Sequence, residues 1–159
     1  MSQIPRFIRS VVNDLNLPSV TILPQNPFST SFYQAEFEDE GPTIHVRGCA
    51  IGQRKLALHE IGHHFFETYI GTIIPRATVR RLFGNMSEEM PSGLFAGISR
   101  FLPGDIEGYI TMYAQTHPEE DFAEIFAEVM NEGEPLDYED DIINEKIEFV
   151  WECIQKARG

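Results

Sequence analysis

The chain has 159 residues, a length that suits one domain with a real core and predicts a single domain over residues 1–159. With 12 Lys and Arg against 25 Asp and Glu, its formal net charge of −13 excludes the counterion-release binding that nucleic acids and anionic membranes require. A hydrophobic fraction of 42% with 23% charged residues places it among globular chains rather than disordered ones.

In chain order, Ile4, Phe7, Ile8, Val11, Val12 and Leu15 repeat at helical spacing, with Pro5 where a first turn tolerates it. Val20 and Ile22, broken by Pro24, suggest a short strand. Tyr33, Ala35 and Phe37 alternate with polar residues. After the turn at Asp39-Glu40-Gly41-Pro42, Ile44 and Val46 do the same, so Tyr33 to Arg47 reads as an antiparallel hairpin. Helical periodicity resumes near Gln53 and is expected to stop at Gly71. Gly71 to Gly104 is rich in glycine and proline and reads as loop, apart from a short helix over Val79, Leu82 and Phe83. A helix follows from Pro118 to the stop at Asn131-Glu132-Gly133. A last one begins near Asp140, with Ile143, Ile147, Val150, Trp151 and Ile154 on one stripe. The order of elements predicts an α+β domain.

No stretch approaches the roughly 18 apolar residues of a membrane span. The first residues lack the apolar segment and cleavage site of a secretory signal, so a cytoplasmic location is expected, with secretion by another route left open. Two cysteines, Cys49 and Cys153, make neither a disulfide framework nor a Cys-type zinc site.

The expected long helix contains His59-Glu60-Ile61-Gly62-His63, an H-E-x-x-H pattern. Histidines at i and i+4 lie about 40° apart round a helix, so both imidazoles can reach one metal ion. Glu60, about 100° round from His59, can approach a water beside that ion. Leu58, Ile61, Phe65 and Tyr69 form a separate core stripe, and Gly62 beside it allows a close neighbour. The competing explanation is a pair of ordinary hydrogen-bonded histidines. Catalytic zinc usually takes three protein ligands and leaves one position for water, so a third donor is required.

Candidates cluster in the segment holding Tyr113, His117, Glu119, Glu120, Asp121, Glu124 and Glu128. Phe122, Ile125, Phe126 and Val129 give its helix an apolar face, and Ala123 and Ala127 give it a small-residue stripe where another helix could pack closely. Periodicity leaves Glu120, Glu124 and Asp121 all open, and His117 stands as an alternative in a three-histidine site.

These two motifs, His59, Glu60 and His63 followed by Tyr113, Glu120, Phe122, Ala123, Glu124 and Phe126, resemble the gluzincin metallopeptidases. The resemblance is nearest to the group containing anthrax lethal factor and the Pro-Pro endopeptidases, and it covers about residues 53 to 131. Asp121 departs from it, standing where the lethal factor type has a hydrophobic residue. The resemblance implies a zincin-like fold, with a small N-terminal sheet and helices and a helical C-terminal half around an active-site cleft. It also implies Zn2+ as cofactor, with Glu120 as the third ligand beside His59 and His63. Glu60 would be the general base, Tyr113 the phenol near the scissile carbonyl, and Glu124 a carboxylate orienting a ligand histidine. The expected function is a zinc-dependent endopeptidase acting on a peptide or protein, its substrate strand lying along an edge of the hairpin. A regulatory protease cleaving one partner such as a repressor, and a non-catalytic zinc-stabilised binding module, are the rival functions.

Four other features have simpler expectations. His64 points away from His63 and is expected at the surface or in a hydrogen bond. Cys49 could hold zinc in a latent enzyme but reads as a plain buried thiol. Arg76, Arg80, Arg81 and Arg100 read as ordinary ion-pair partners. The acidic excess, five residues of it on the second motif's helix, suggests a cationic peptide drawn to an acidic rim.

Overall fold

The computed structural model describes residues 3–25, 31–35, 39–47, 53–84 and 102–159. Helix α1 spans Ile4–Asp14 with proline in its first turn, and Ile8, Val11, Val12 and Leu15 turn inward. Strands β1 (Thr21–Gln25), β2 (Phe32–Gln34) and β3 (Thr43–Arg47) make one sheet in the order β1-β3-β2. β2 runs antiparallel to β3, with Tyr33 opposite Ile44, as the hairpin reading requires; residues 36–38, which include Phe37, lie outside the described residues. β1 adds parallel to the other side of β3, and Pro24 falls inside it instead of ending it. A residue without an N–H is tolerated there because β1 is an edge strand.

The strict in-and-out alternation expected for β3 is not observed. Thr43, Ile44, His45 and Val46 are all buried, because β3 is the central strand and both of its faces are covered. His45 stacks on Phe32 at 4.0 Å between ring centroids, and its ring nitrogens meet Gln25 and Gln34 at 2.9 and 2.8 Å.

Helix α2 spans Gln53–Phe65 and passes into a wide π-helical turn at Phe66–Ile70, then a helical turn at Gly71–Ile73. The helix therefore continues through Gly71, which takes ordinary helical angles (φ −62°, ψ −21°), and stops at the extended Ile74 before Pro75. Proline disfavours the helical conformation in the residue before it, and that outweighs the modest helix cost of a glycine. Helix α3 covers Arg76–Phe83, including the expected Val79, Leu82 and Phe83.

A short antiparallel turn follows, with Met112 N–H donating to Leu102 O and Pro103 bridging Thr111. A single 3-10 turn at Ala114–Thr116 then leads into helix α4, Pro118–Glu132. Gly133, at φ +76°, ends α4 in the left-handed conformation that glycine takes without steric cost. Helix α5 spans Asp141–Arg158. The Asp140 carboxylate caps it by accepting from Ile142 N and Ile143 N.

The core joins Ile8, Val12 and Leu15 of α1 to Leu58, Ile61 and Phe65 of α2, Phe122 and Phe126 of α4, and Ile147, Val150 and Ile154 of α5. The result is α+β: a three-stranded sheet toward the N-terminus, with α2 and α4 crossing at the centre. Among the described residues, no helix is long and apolar enough to cross a membrane.

Candidate metal centre

Two helices must approach closely for residues on both to share one ion, and the sequence provides for it. A Cβ built on Gly62 of α2 would lie 3.0 Å from the Ala123 backbone and 3.1 Å from the Phe126 ring of α4. Even a Cβ at 62 would require α4 to give by a few tenths of an ångström, so the close approach rests on Gly62 and Ala123. That contact brings the His59 and His63 face of α2 against the Glu120 and Glu124 face of α4.

Where the faces meet, three donor atoms form a triangle. His59 Nε2 lies 2.9 Å from Glu120 Oε2, His63 Nε2 lies 3.2 Å from the same oxygen, and the two nitrogens are 3.1 Å apart. Among the described residues, this group is the one cluster of at least three His, Cys, Asp or Glu donors close enough to hold a metal ion. Protons cannot satisfy all three edges. A carboxylate oxygen only accepts, so both nitrogens would have to donate to it, and their two hydrogens would then crowd together beside a 3.1 Å nitrogen–nitrogen edge with no acceptor on it. If either nitrogen instead keeps its lone pair, one edge sets lone pair against lone pair.

A cation between the three atoms satisfies every edge at once. The spacings are near the edge of about 3.3 Å expected for a tetrahedron of nitrogen and oxygen ligands roughly 2.0 Å from zinc. The donor set therefore fits a zinc ion. The electrostatics agree. Burial alone pushes the His59 imidazole down, but Glu120, Glu124 and the charge of Glu60 lift it to about 10. Burial alone pushes Glu120 up, but His59 and His63 hold it far below the usual carboxylate range. Both shifts reflect acidic side chains that favour positive charge at His59.

The surroundings differ on the two sides. His59 is 2% exposed, and its Nδ1 lies 2.6 Å from Glu124 Oε1, an ion-pair contact that lies well off the line of the ring N–H. Glu124 in turn accepts from the Thr111 hydroxyl at 3.1 Å. On the other side, a cleft of about 310 Å³ is lined by Phe32, Tyr33, Glu60, His63, Tyr113 and Glu120, with Ala35, Glu67 and Glu119 completing it. Glu60 and Tyr113 thus reach the same open space as the two accessible members of the triangle, and the Tyr113 ring lies 5.8 Å from that of His59.

Other candidates lie elsewhere. Asp121 is fully buried and turned away, with its carboxylate 2.6 Å from Lys146 Nζ. This pairing explains a charged residue where the resembling family has an apolar one. His117 is the N-cap of α4, and its Nδ1 accepts from Glu119 N at 3.1 Å. His64 is not at the surface. It is wholly buried and spans Pro18 O at 2.7 Å and Tyr33 Oη at 3.1 Å, which fits an Nε2–H donating to the carbonyl and an Nδ1 accepting from the phenol. Burial pushes its pKa down, so the ring stays neutral. Arg81 makes an exposed 3.5 Å pair with Glu145; Cys49 and Arg100 lie outside the described residues. Cys153 is a buried thiol pushed up to about 11 by its burial.

Sequence reasoning missed two supporting residues. Lys146 interrupts the apolar stripe of α5 between Ile143 and Ile147, and a charge at a core position was the available signal. Thr111 gave no signal, because its role depends on a fold of the chain over Glu124.

Residues 55–148 match the model of a family described as "Putative zinc-binding metallo-peptidase". The chain belongs to this family. The match contains the whole triangle together with Glu60, Tyr113 and Glu124, and the class of substrate that goes with a metallopeptidase is a peptide or protein. No curated protein and no solved structure matches the chain.

Proposed function

We propose that the chain is a zinc-dependent endopeptidase of gluzincin type, a single zincin-like domain over residues 1–159 in which His59, His63 and Glu120 hold the metal. The observation that carries this reading is the triangle of donors that protons cannot satisfy, opening onto a cleft that also contains Glu60 and Tyr113. Zinc, when bound, supplies a Lewis acid that polarises a carbonyl and lowers the pKa of a water from about 15.7 toward 7.

The chain's own residues supply the rest. The Glu60 carboxylate accepts the proton of the attacking water and later delivers it to the leaving amine. Its burial at 2% exposure keeps competing bulk water from that transfer. The Tyr113 hydroxyl donates a hydrogen bond to the oxyanion that develops on the scissile carbonyl. Glu124 holds His59 with Nε2 directed at the metal and strengthens it as a donor. β2 is a sheet edge whose Phe32 and Tyr33 border the cleft, so a substrate strand can pair with its main chain. Glu67 and Glu119 on the rim favour a cationic substrate.

Cleavage of a mixed peptide library by wild type, Glu60→Gln and Tyr113→Phe tests this reading, with zinc measured on each. Glu60→Gln should keep zinc and lose hydrolysis, and Tyr113→Phe should keep zinc and turn over more slowly, by roughly 10- to 100-fold. Hydrolysis by Glu60→Gln at the wild-type rate would remove the proposed base and would favour neither rival. Zinc binding with no cleavage by wild type would favour a binding module, and cleavage of a single sequence would favour a regulatory protease. A library cleaved without regard to charge would refute the acidic-rim preference.

A further inference from the structure

Thr111 sits where two features of the centre meet. Its hydroxyl donates to Glu124 Oε2 at 3.1 Å and accepts from Ala114 N at 3.0 Å, and Ala114 opens the turn that directly follows Tyr113. The other oxygen of Glu124 faces His59 Nδ1 at 2.6 Å, and His59 Nε2 faces the triangle. One hydroxyl therefore fixes the orientation of the carboxylate behind the buried imidazole of the triangle, and it also fixes the start of the turn that Tyr113 leads into.

A carboxylate with one oxygen unrestrained can rotate about its last torsion, a broad and soft one. The Thr111 hydrogen bond removes that freedom, which matters because the other oxygen of Glu124 lies only 2.6 Å from His59 Nδ1. The segment bearing Thr111 is anchored at its far end too. Lys146 Nζ donates to Gly108 O at 2.6 Å while the Asp140 carboxylate accepts from Gly108 N at 2.6 Å, so Thr111 stands on a held support.

We propose that Thr111 is a positioning residue of the metal centre: through Glu124 it orients His59, and through Ala114 it sets the place of Tyr113. The proposal rests on the reading of His59 as a ligand. Partners behind a metal-bound histidine typically change affinity by about 10- to 100-fold when removed, and Thr111 acts one bond further out, at the lower end of that range.

The test is zinc affinity by chelator competition on the full chain, for wild type, Thr111→Val, Thr111→Ser, Glu124→Ala and the Thr111→Val/Glu124→Ala double variant. Thr116→Val serves as a control, since it removes a neighbouring buried hydroxyl that donates to the Tyr113 carbonyl. Thr111→Val should weaken zinc about tenfold. Thr111→Ser should restore wild-type affinity, and Thr111→Val should add nothing once Glu124 is alanine. Equal affinity of wild type and Thr111→Val, additive losses in the double variant, or an equal loss from Thr116→Val would each overturn the proposal while leaving the zinc reading intact. A wild type that binds no zinc would overturn both. Should Thr111→Val fail to fold, the Ser variant still decides: a loss of affinity there as large as in Glu124→Ala would refute a role for the hydroxyl.

Discussion

At the residue scale, five of the six acidic side chains of α4 have five different tasks, although the sequence presents them as one run. Glu119 lines the cleft, Glu120 meets both histidines, Asp121 pairs with Lys146, Glu124 backs His59, and Glu128 pairs with Lys55. The difference between Glu119 and Glu120 is directly measurable. Replacing Glu120 by alanine removes the proposed third ligand and should lower zinc affinity by at least about 100-fold. Replacing Glu119 should change it less than about threefold, since an acidic neighbour at the rim contributes only a screened field. Equal losses would refute the choice of ligand.

The histidines and Glu60 are legible in the sequence because their chemistry is local to one helix, where a spacing of four residues fixes a shared face. Glu120 is one of three candidates by periodicity, and the family resemblance is what selects it. Periodicity places a residue on a helix face but does not say what packs there. His64 shows the same limit: its direction, away from His63, is readable, but its burial depends on Pro18 and Tyr33, both distant in sequence.

At the element scale, the packing of α2 on α4 brings the donors together, and its small-residue contact is legible in the sequence at Gly62 and Ala123. The parallel strand β1 and the continuation of α2 past Gly71 are not. The first depends on a crossover over β3, and the second on Pro75 outweighing the modest helix cost of a glycine.

The support of the centre from α5 is also non-local. Asp140 caps α5 and holds Gly108 N. Burial alone pushes its carboxyl up, but these hydrogen bonds and the charge of Lys146 together hold it below the usual range. A carboxylate depressed in the folded state contributes stability above the unfolded pKa of about 3.9, and loses that contribution as pH falls through the lower folded value. Asp140→Ala should therefore cost about 1 kcal/mol in urea unfolding at pH 7, with the difference from wild type shrinking below pH 4. A difference that stayed constant from pH 7 to pH 3 would contradict the capping account.

At the scale of the whole molecule, the charge of −13 is divided between surface and site. Part of it surrounds the cleft as Glu60, Glu67, Glu119 and Glu120, and part is neutralised inside the fold by Lys146. The acidity behind the sequence-based expectation against nucleic acid thus lies in part around the proposed site. A sheet edge, a helix pair and a held turn converge on one small volume, and the family match extends from Lys55 of α2 to Glu148 of α5, taking in the helix pair and the held turn.

The central claim is the identity of the ligands, and zinc K-edge X-ray absorption on the one-to-one complex tests it most directly. The account predicts two imidazoles, with every nearest scatterer a nitrogen or oxygen at about 2.0–2.2 Å. A sulfur neighbour at about 2.3 Å, which would implicate Cys49, or a third imidazole, which would implicate His117, would contradict it.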